Sequence, residues 1–219
     1  MKKNLTEIVF ILDKSGSMYG LEKDTIGGCN SFIEKQKKEE GEALISIVLF
    51  SDSSEILADR VSLTEIRPLT EKDYCPSGCT ALLDAIGDTV KNISLIQKHI
   101  REEDCPEKTI FIIMTDGQEN SSRSYSYEQI KAMITEAQEK KKWEFLFLGA
   151  NMDAIAAAAR FGIHEDHAVR FENDSRGVQL NYKVLSDAVA CARSCEAPQM
   201  AGSWKERIET DYKSRKRRR

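Results

Sequence analysis

Residues 13–17 read Asp13-Lys14-Ser15-Gly16-Ser17, directly behind the apolar run Ile8-Val9-Phe10-Ile11-Leu12. This places one carboxylate and two hydroxyls at the C-terminal end of a buried strand, where parallel α/β sheets build their binding sites. A second carboxylate, Asp116 of Thr115-Asp116-Gly117, follows the apolar run Thr109–Met114 in the same way. Thr80 adds a hydroxyl behind a loop that contains Pro76 and Gly78. Strand ends of one parallel sheet lie on one edge, so Asp13 and Asp116 face each other if their strands are neighbours. Two close carboxylates repel, and a divalent cation removes that cost. The donor set Asp13, Ser15, Ser17, Thr80 and Asp116 is all oxygen. It suits octahedral Mg²⁺, with Mn²⁺ or Ca²⁺ as further candidates, better than Zn²⁺. Because three donors are neutral, the ion keeps positive charge and can accept a carboxylate from a partner protein.

The elements that must carry these residues alternate along the chain. Strands are expected at Glu7–Leu12, Ala43–Phe50, Glu55–Val61, Thr109–Met114, Trp143–Leu148 and Ala168–Phe171. Helices are expected at Leu21–Glu40, from Thr80 to about Ile100, and at Tyr127–Lys140, Ala154–Arg160 and Arg176–Arg193, with a short turn near Leu63–Ile66. The Glu55–Val61 segment is the most polar and reads as an antiparallel edge strand hairpin-linked to its predecessor. The alternation predicts an α/β fold with a mostly parallel sheet covered by helices on both sides.

Composition limits the alternatives. At 219 residues and 41% apolar content there is material for one full α/β core. Net charge is −4, made of a +4 segment over residues 196–219 and an acidic remainder. An acidic body argues against a general nucleic-acid-binding face. The basic tail, ending Arg215-Lys216-Arg217-Arg218-Arg219, leaves room for weak contact with nucleic acid or an acidic protein. Within it Trp204, Ile208 and Tyr212 recur every four residues, the spacing of a short amphipathic helix. No apolar run is long enough for a membrane span, and no cleavage signal follows the first strand, so a cytoplasmic location is expected.

Other chemistry-bearing residues have simpler readings. Cys75 and Cys79, and Cys191 and Cys195, are each separated by three residues and complete no usual zinc pattern. His164 and His167 form an H-x-x-H without a third ligand. Asp84, one turn beyond Thr80, supports either the site or the helix dipole. Asp52 and Glu119 are acidic loop residues near the same edge, and Met18 and Tyr19 are candidates for an apolar rim. Asn151 and Asp153, before an alanine-rich helix, are read as close packing against the sheet. Nucleotide-binding glycine motifs are absent from the sequence.

With these motifs assembled, residues 4–195 resemble a von Willebrand factor type A domain with a complete metal-ion-dependent adhesion site. Asp13, Ser15 and Ser17 match that family's D-x-S-x-S motif, Thr80 in Ser77-Gly78-Cys79-Thr80-Ala81-Leu82 its loop threonine, and Asp116 its aspartate after the fourth strand. The resemblance implies a three-layer αβα, Rossmann-like fold over residues 1–195, with residues 196–219 a separate tail. It implies a non-enzymatic, metal-dependent module whose ion captures an Asp or Glu of a protein partner, as in stand-alone bacterial or phage members. The alternative is a metal-dependent hydrolase or phosphotransfer enzyme using the same ion. Against that reading, no general base or nucleophile stands near the motifs.

Overall fold

The computed structural model describes residues 1–150, 153–194 and 202–216. Asn151, Cys195 and Arg217–Arg219 lie outside the described residues, as does the expected domain boundary at residue 195.

Six strands form one sheet: β1 (Lys2–Asp13), β2 (Glu42–Phe50), β3 (Ser54–Ser62), β4 (Pro106–Thr115), β5 (Glu144–Ala150) and β6 (Ala168–Phe171), in the order β3-β2-β1-β4-β5-β6. Every pair is parallel except β2–β3, which is antiparallel at the edge, as its polar sequence predicts. The helices are α1 (Glu22–Gln36), α2 (Leu82–His99), α3 (Tyr127–Lys141), α4 (Ala154–Arg160), α5 (Ser175–Ser194) and α6 (Glu206–Lys216).

Alternation along β1 explains the two layers of helix. Ile8, Phe10 and Leu12 face a core built with α1 and α5, while Val9 and Ile11 face one built with α2, α3 and α4. All five are completely or almost completely buried, because a central parallel strand is covered on both faces. The α1–α5 contact is close: a Cβ on Gly28 would meet the Tyr182 ring at 2.1 Å.

The strands run longer than their apolar runs. β1 begins at Lys2: Lys2, Thr6 and Glu7 pair with β4, and Leu5, Thr6 and Glu7 with β2. α1 stops at Gln36, earlier than expected, and a turn carries the chain to Gly41, whose φ is +83°. Residues 202–216 fold back on the domain. Ile208 joins the α1–α5 core, the Trp204 indole N–H donates to the Asp166 carbonyl (2.8 Å), and Lys205 Nζ donates to the carbonyls of Glu165 and Ala168. Among the described residues, no helix is long and apolar enough to cross a membrane.

Candidate metal centre

Strand order reverses between β1 and β4: the chain runs outward from β1 to β3 on one side and from β4 to β6 on the other. The crevice at such a reversal, outside the carboxyl ends of the strands, is where open α/β sheets bind ligands. Leu12 is in register with Met114, so the residues that follow them, Asp13 and Asp116, meet there.

A chain of hydrogen bonds links four of the five predicted residues. Asp13 Oδ1 accepts from the Ser15 amide (2.7 Å), and the Ser15 and Ser17 hydroxyls are 3.0 Å apart. The Ser17 hydroxyl donates to Asp116 Oδ1 (2.5 Å). Thr80 is located by Gly117, where an added Cβ would lie 2.9 Å from Thr80 Oγ1 and 3.5 Å from Ser17 Oγ. All five oxygen-bearing side chains thus converge on one strand edge. Asp13, Ser15, Thr80 and Asp116 are buried, and Ser17 is exposed, so the cluster opens to solvent on the Ser17 side.

Backbone contacts hold the three segments in place. The Gly16 amide donates to the Gly78 carbonyl (3.0 Å), the Ser77 amide to the Lys14 carbonyl (2.8 Å), and the Tyr74 hydroxyl to the Asp13 carbonyl. Gly78 has φ +75°, and a Cβ there would fall 2.0 Å from Asp52 Oδ2, so only glycine fits this crossing. Asp52 accordingly serves the loop, accepting from the Cys79 amide (3.0 Å).

Thr80 does not open α2, contrary to expectation; the helix begins at Leu82. Residues of the β4–α3 loop satisfy its N-terminal amides instead. Glu119 accepts from the Leu83 amide (2.9 Å), Ser122 from the Asp84 amide (3.1 Å), and Asn120 from the Thr80 amide (2.9 Å). This external cap relieves the Thr80 hydroxyl of capping and leaves it at the site. Asp84 lies outside the cluster: its carboxylate accepts from the amides of Arg123, Ser124 and Tyr125. Met18 is buried in the core, while Tyr19 is 80% exposed beside the cluster. His164 pairs with Asp166 on the surface, away from any ligand set.

Burial raises the pKa of both Asp13 and Asp116. Hydrogen bonds from Ser15 and Thr115 to Asp13, and from Ser17 and Asn173 to Asp116, oppose that rise, and Asp116 adds to it at Asp13. Among the described residues neither carboxylate has a salt-bridge partner. Buried unpaired carboxylates are costly, and a hard cation held by oxygen donors offsets that cost. Among the described residues no group of three or more His, Cys, Asp or Glu side chains is placed to hold a metal. The hydroxyls therefore have to complete any cation site here.

One residue at this site has no sequence motif. Asn173, in the β6–α5 loop, reaches past the end of β5 and donates to Asp116 Oδ2 (2.6 Å). Its own Oδ1 is buried without a partner among the described residues. The loop is tied down at its next residue, where Arg215 of α6 pairs with Asp174 (2.5 Å).

No family model matches this sequence, and no curated protein is significantly similar to it. Solved structures do share its architecture. Proximal thread matrix protein 1 from the mussel byssus superposes with a TM-score of 0.58 at 16% identity, over 88% of this chain and 48% of that one. Another crystal structure of that mussel protein has a zinc-occupied MIDAS motif. The vWF domain of the type V pili tip protein Mfa5 from Porphyromonas gingivalis gives 0.58 at 12% identity, over 88% and 97% of the two chains. Manganese-loaded TRAP protein from Plasmodium vivax gives 0.55 at 17% identity, over 82% and 73%. This chain spans about half the length of the mussel protein. The expected cytoplasmic location is corrected by these matches: byssus-thread and pilus-tip proteins carry the same fold, so neither the fold nor a lack of spanning helices assigns the chain to the cytoplasm. The likeness is one of architecture, and the architecture is the von Willebrand factor type A fold.

Proposed function

We propose that the chain is a metal-dependent protein-binding module. In this reading Asp13, Ser15, Ser17, Thr80 and Asp116 hold one Mg²⁺, and the ion takes a carboxylate oxygen from an Asp or Glu of a partner protein. The carrying observation is the convergence of two buried, unpaired carboxylates with three hydroxyls at the β1–β4 reversal. The oxygen-only donor set favours Mg²⁺ or Mn²⁺. The zinc-occupied and manganese-loaded structures of the same fold add support. Ser17 marks the open side, and exposed Tyr19 stands where a partner's surface would meet the domain. An exposed aromatic at the edge of a binding site suits an interface anchor.

Titration with Mn²⁺, followed by calorimetry and by the electron paramagnetic resonance of the free ion, tests the site. The expected result is one bound ion, with affinity lowered about 100-fold or more in Asp13→Ala and Asp116→Ala, both folded by circular dichroism. Unchanged Mn²⁺ affinity in these variants overturns the assignment. Capture of partners in Mg²⁺ and in EDTA tests the binding role, and a partner retained in EDTA counts against it. Turnover of a phosphate ester that is lost in Asp116→Ala would replace this reading with the hydrolase alternative.

A further inference from the structure

At the opposite, N-terminal edge of the sheet, α2 and α3 leave a groove of about 920 Å³. Val90, Ala137 and Trp143 form its base and are almost completely buried in the core beneath α2 and α3, so the free apolar surface is that of the walls. Leu95, 55% exposed, stands on its α2 wall, and Met133 on its α3 wall. Exposed Leu95 facing half-buried Met133 across a groove rimmed by charge marks a contact surface.

The walls are patterned. On α2, Lys91, Leu95 and Lys98 are spaced i, i+4, i+7, so they form one stripe along two turns. On α3, Met133, Ala137 and Lys140 repeat the same spacing. Six lysines line the groove against two glutamates, in a chain whose net charge is −4; the ammonium of one, Lys108, is turned to the Ala192 and Arg193 carbonyls of α5 and adds nothing to the rim. Lys140 is paired with Glu136 (2.9 Å), and the Lys141 ammonium lies 4.5 Å from the centre of the Trp143 ring. Lys91, Lys98 and Lys142 have no ion pair among the described residues. Lysines in the last turn of a helix also complement its dipole, but Lys91 sits mid-helix, where the dipole has no such effect.

From this charge and spacing we infer that the groove between α2 and α3 is a second binding site, and that its occupant is an acidic amphipathic helix of a partner protein. An apolar stripe of that helix packs on Leu95 and Met133, above Val90, Ala137 and Trp143. Acidic residues flanking the stripe meet Lys91 and Lys98 on one wall and Lys142 on the other. This is recognition of a helix in a groove, with the cationic rim selecting the sign of the ligand. The site uses no residue of the metal centre, so occupation is expected to be the same in Mg²⁺ and in EDTA.

The test uses the full chain carrying Trp204→Phe, so that Trp143 is the sole tryptophan. The probe is a synthetic amidated helix of about 14 residues, long enough to span the two-turn stripe, with Leu along one face and Glu on both flanks. A sister peptide replaces each Glu by Lys. The expected result is a saturable change in Trp143 emission with the Glu peptide. Binding should be about tenfold weaker for the Lys peptide and in Lys91→Glu/Lys98→Glu, and should weaken as salt rises. Equal binding of both peptides, or no effect of the charge reversals, overturns the proposal. So does a Trp143 response to dodecanoate with none to the Glu peptide, which would assign the groove to an acyl chain. Self-association by sedimentation that Leu95→Glu abolishes would instead assign it to a second copy. The lysine and Leu95 substitutions lie on the surface, Trp204→Phe removes one hydrogen bond to the Asp166 carbonyl, and circular dichroism verifies that the variants fold.

Discussion

Asp13 and Asp116 are both buried, yet their lone pairs are committed differently. Asp13 is held from its own segment and from β4, by the Ser15 amide and by the Thr115 hydroxyl on Oδ2 (2.6 Å). Asp116 is held from two distant segments, by Ser17 on Oδ1 and Asn173 on Oδ2. Asn173 thereby fixes the rotation of the Asp116 carboxylate, the group whose direction any bound cation depends on. Partners that orient a ligand typically matter by about 10–100-fold in metal affinity. Asn173→Ala is therefore expected to weaken Mn²⁺ binding about tenfold while leaving the metal-free melting temperature nearly unchanged. Calorimetric titration alongside a thermal melt in EDTA checks both halves. The five proposed donors were legible because each lies directly behind an apolar run or in a glycine-containing loop. Asn173 was not, because Glu172-Asn173-Asp174 looks like any polar turn between strand and helix. Its role arises only when β6 is placed two strands from β4.

At the scale of elements, the cap of α2 decides what Thr80 is free to do. A threonine before a helix ordinarily caps it with its own side chain, and local sequence offers no reason to expect otherwise. Here Glu119, 36 residues beyond Leu83, supplies the acceptor. The same carboxylate also accepts from the Ser121 and Ser122 amides and the Ser122 hydroxyl, so it folds the β4–α3 loop while it caps α2. Glu119→Ala leaves several amides without an acceptor and should cost about 1–3 kcal/mol. Urea unfolding measures that loss, and hydrogen exchange should show faster exchange at Leu83, Ser121 and Ser122. The helix that begins two residues late and the threonine left at the site are two sides of one tertiary contact. By contrast, α3 was legible from sequence because its cap is local: Ser126 and Gln129 close a reciprocal capping box. The ranges of α4 and β6 match expectation residue for residue, since each is bounded by its own short-range signals.

Across the whole molecule, both edges of the sheet bury carboxylates whose pKa lies above the ordinary range: Asp13 and Asp116 at one, Glu7 and Glu144 toward the other. Glu7 has the Arg60 guanidinium at 2.7 Å. Glu144, at the start of β5, has an Oε2 buried without a partner among the described residues, and burial pushes its carboxyl up to about 7 against the opposing pull of Lys108. A carboxyl whose pKa is higher folded than unfolded adds stability in full below the unfolded value, 4.5 for Glu144, and loses it as pH rises through 7. Unfolding free energy should therefore fall between pH 4.5 and about pH 7. Glu144→Gln holds the side chain neutral throughout, so the variant should equal the natural chain near the acid end and exceed it at the alkaline end. After allowance for partial exposure, the gain is about 1–2 kcal/mol. The same difference should appear in Mg²⁺ and in EDTA, because Glu144 is remote from the strand ends that carry Asp13 and Asp116. What Mg²⁺ should change is the remaining slope: an ion that favours ionised Asp13 and Asp116 stabilises the fold most at high pH, where both carboxyls have lost their protons. Urea titrations of the two proteins at about pH 4 and pH 8, each with and without Mg²⁺, separate the two edges. A Glu144→Gln gain that disappears in Mg²⁺ would show the edges to be coupled and would refute the assignment of the slope to two independent groups.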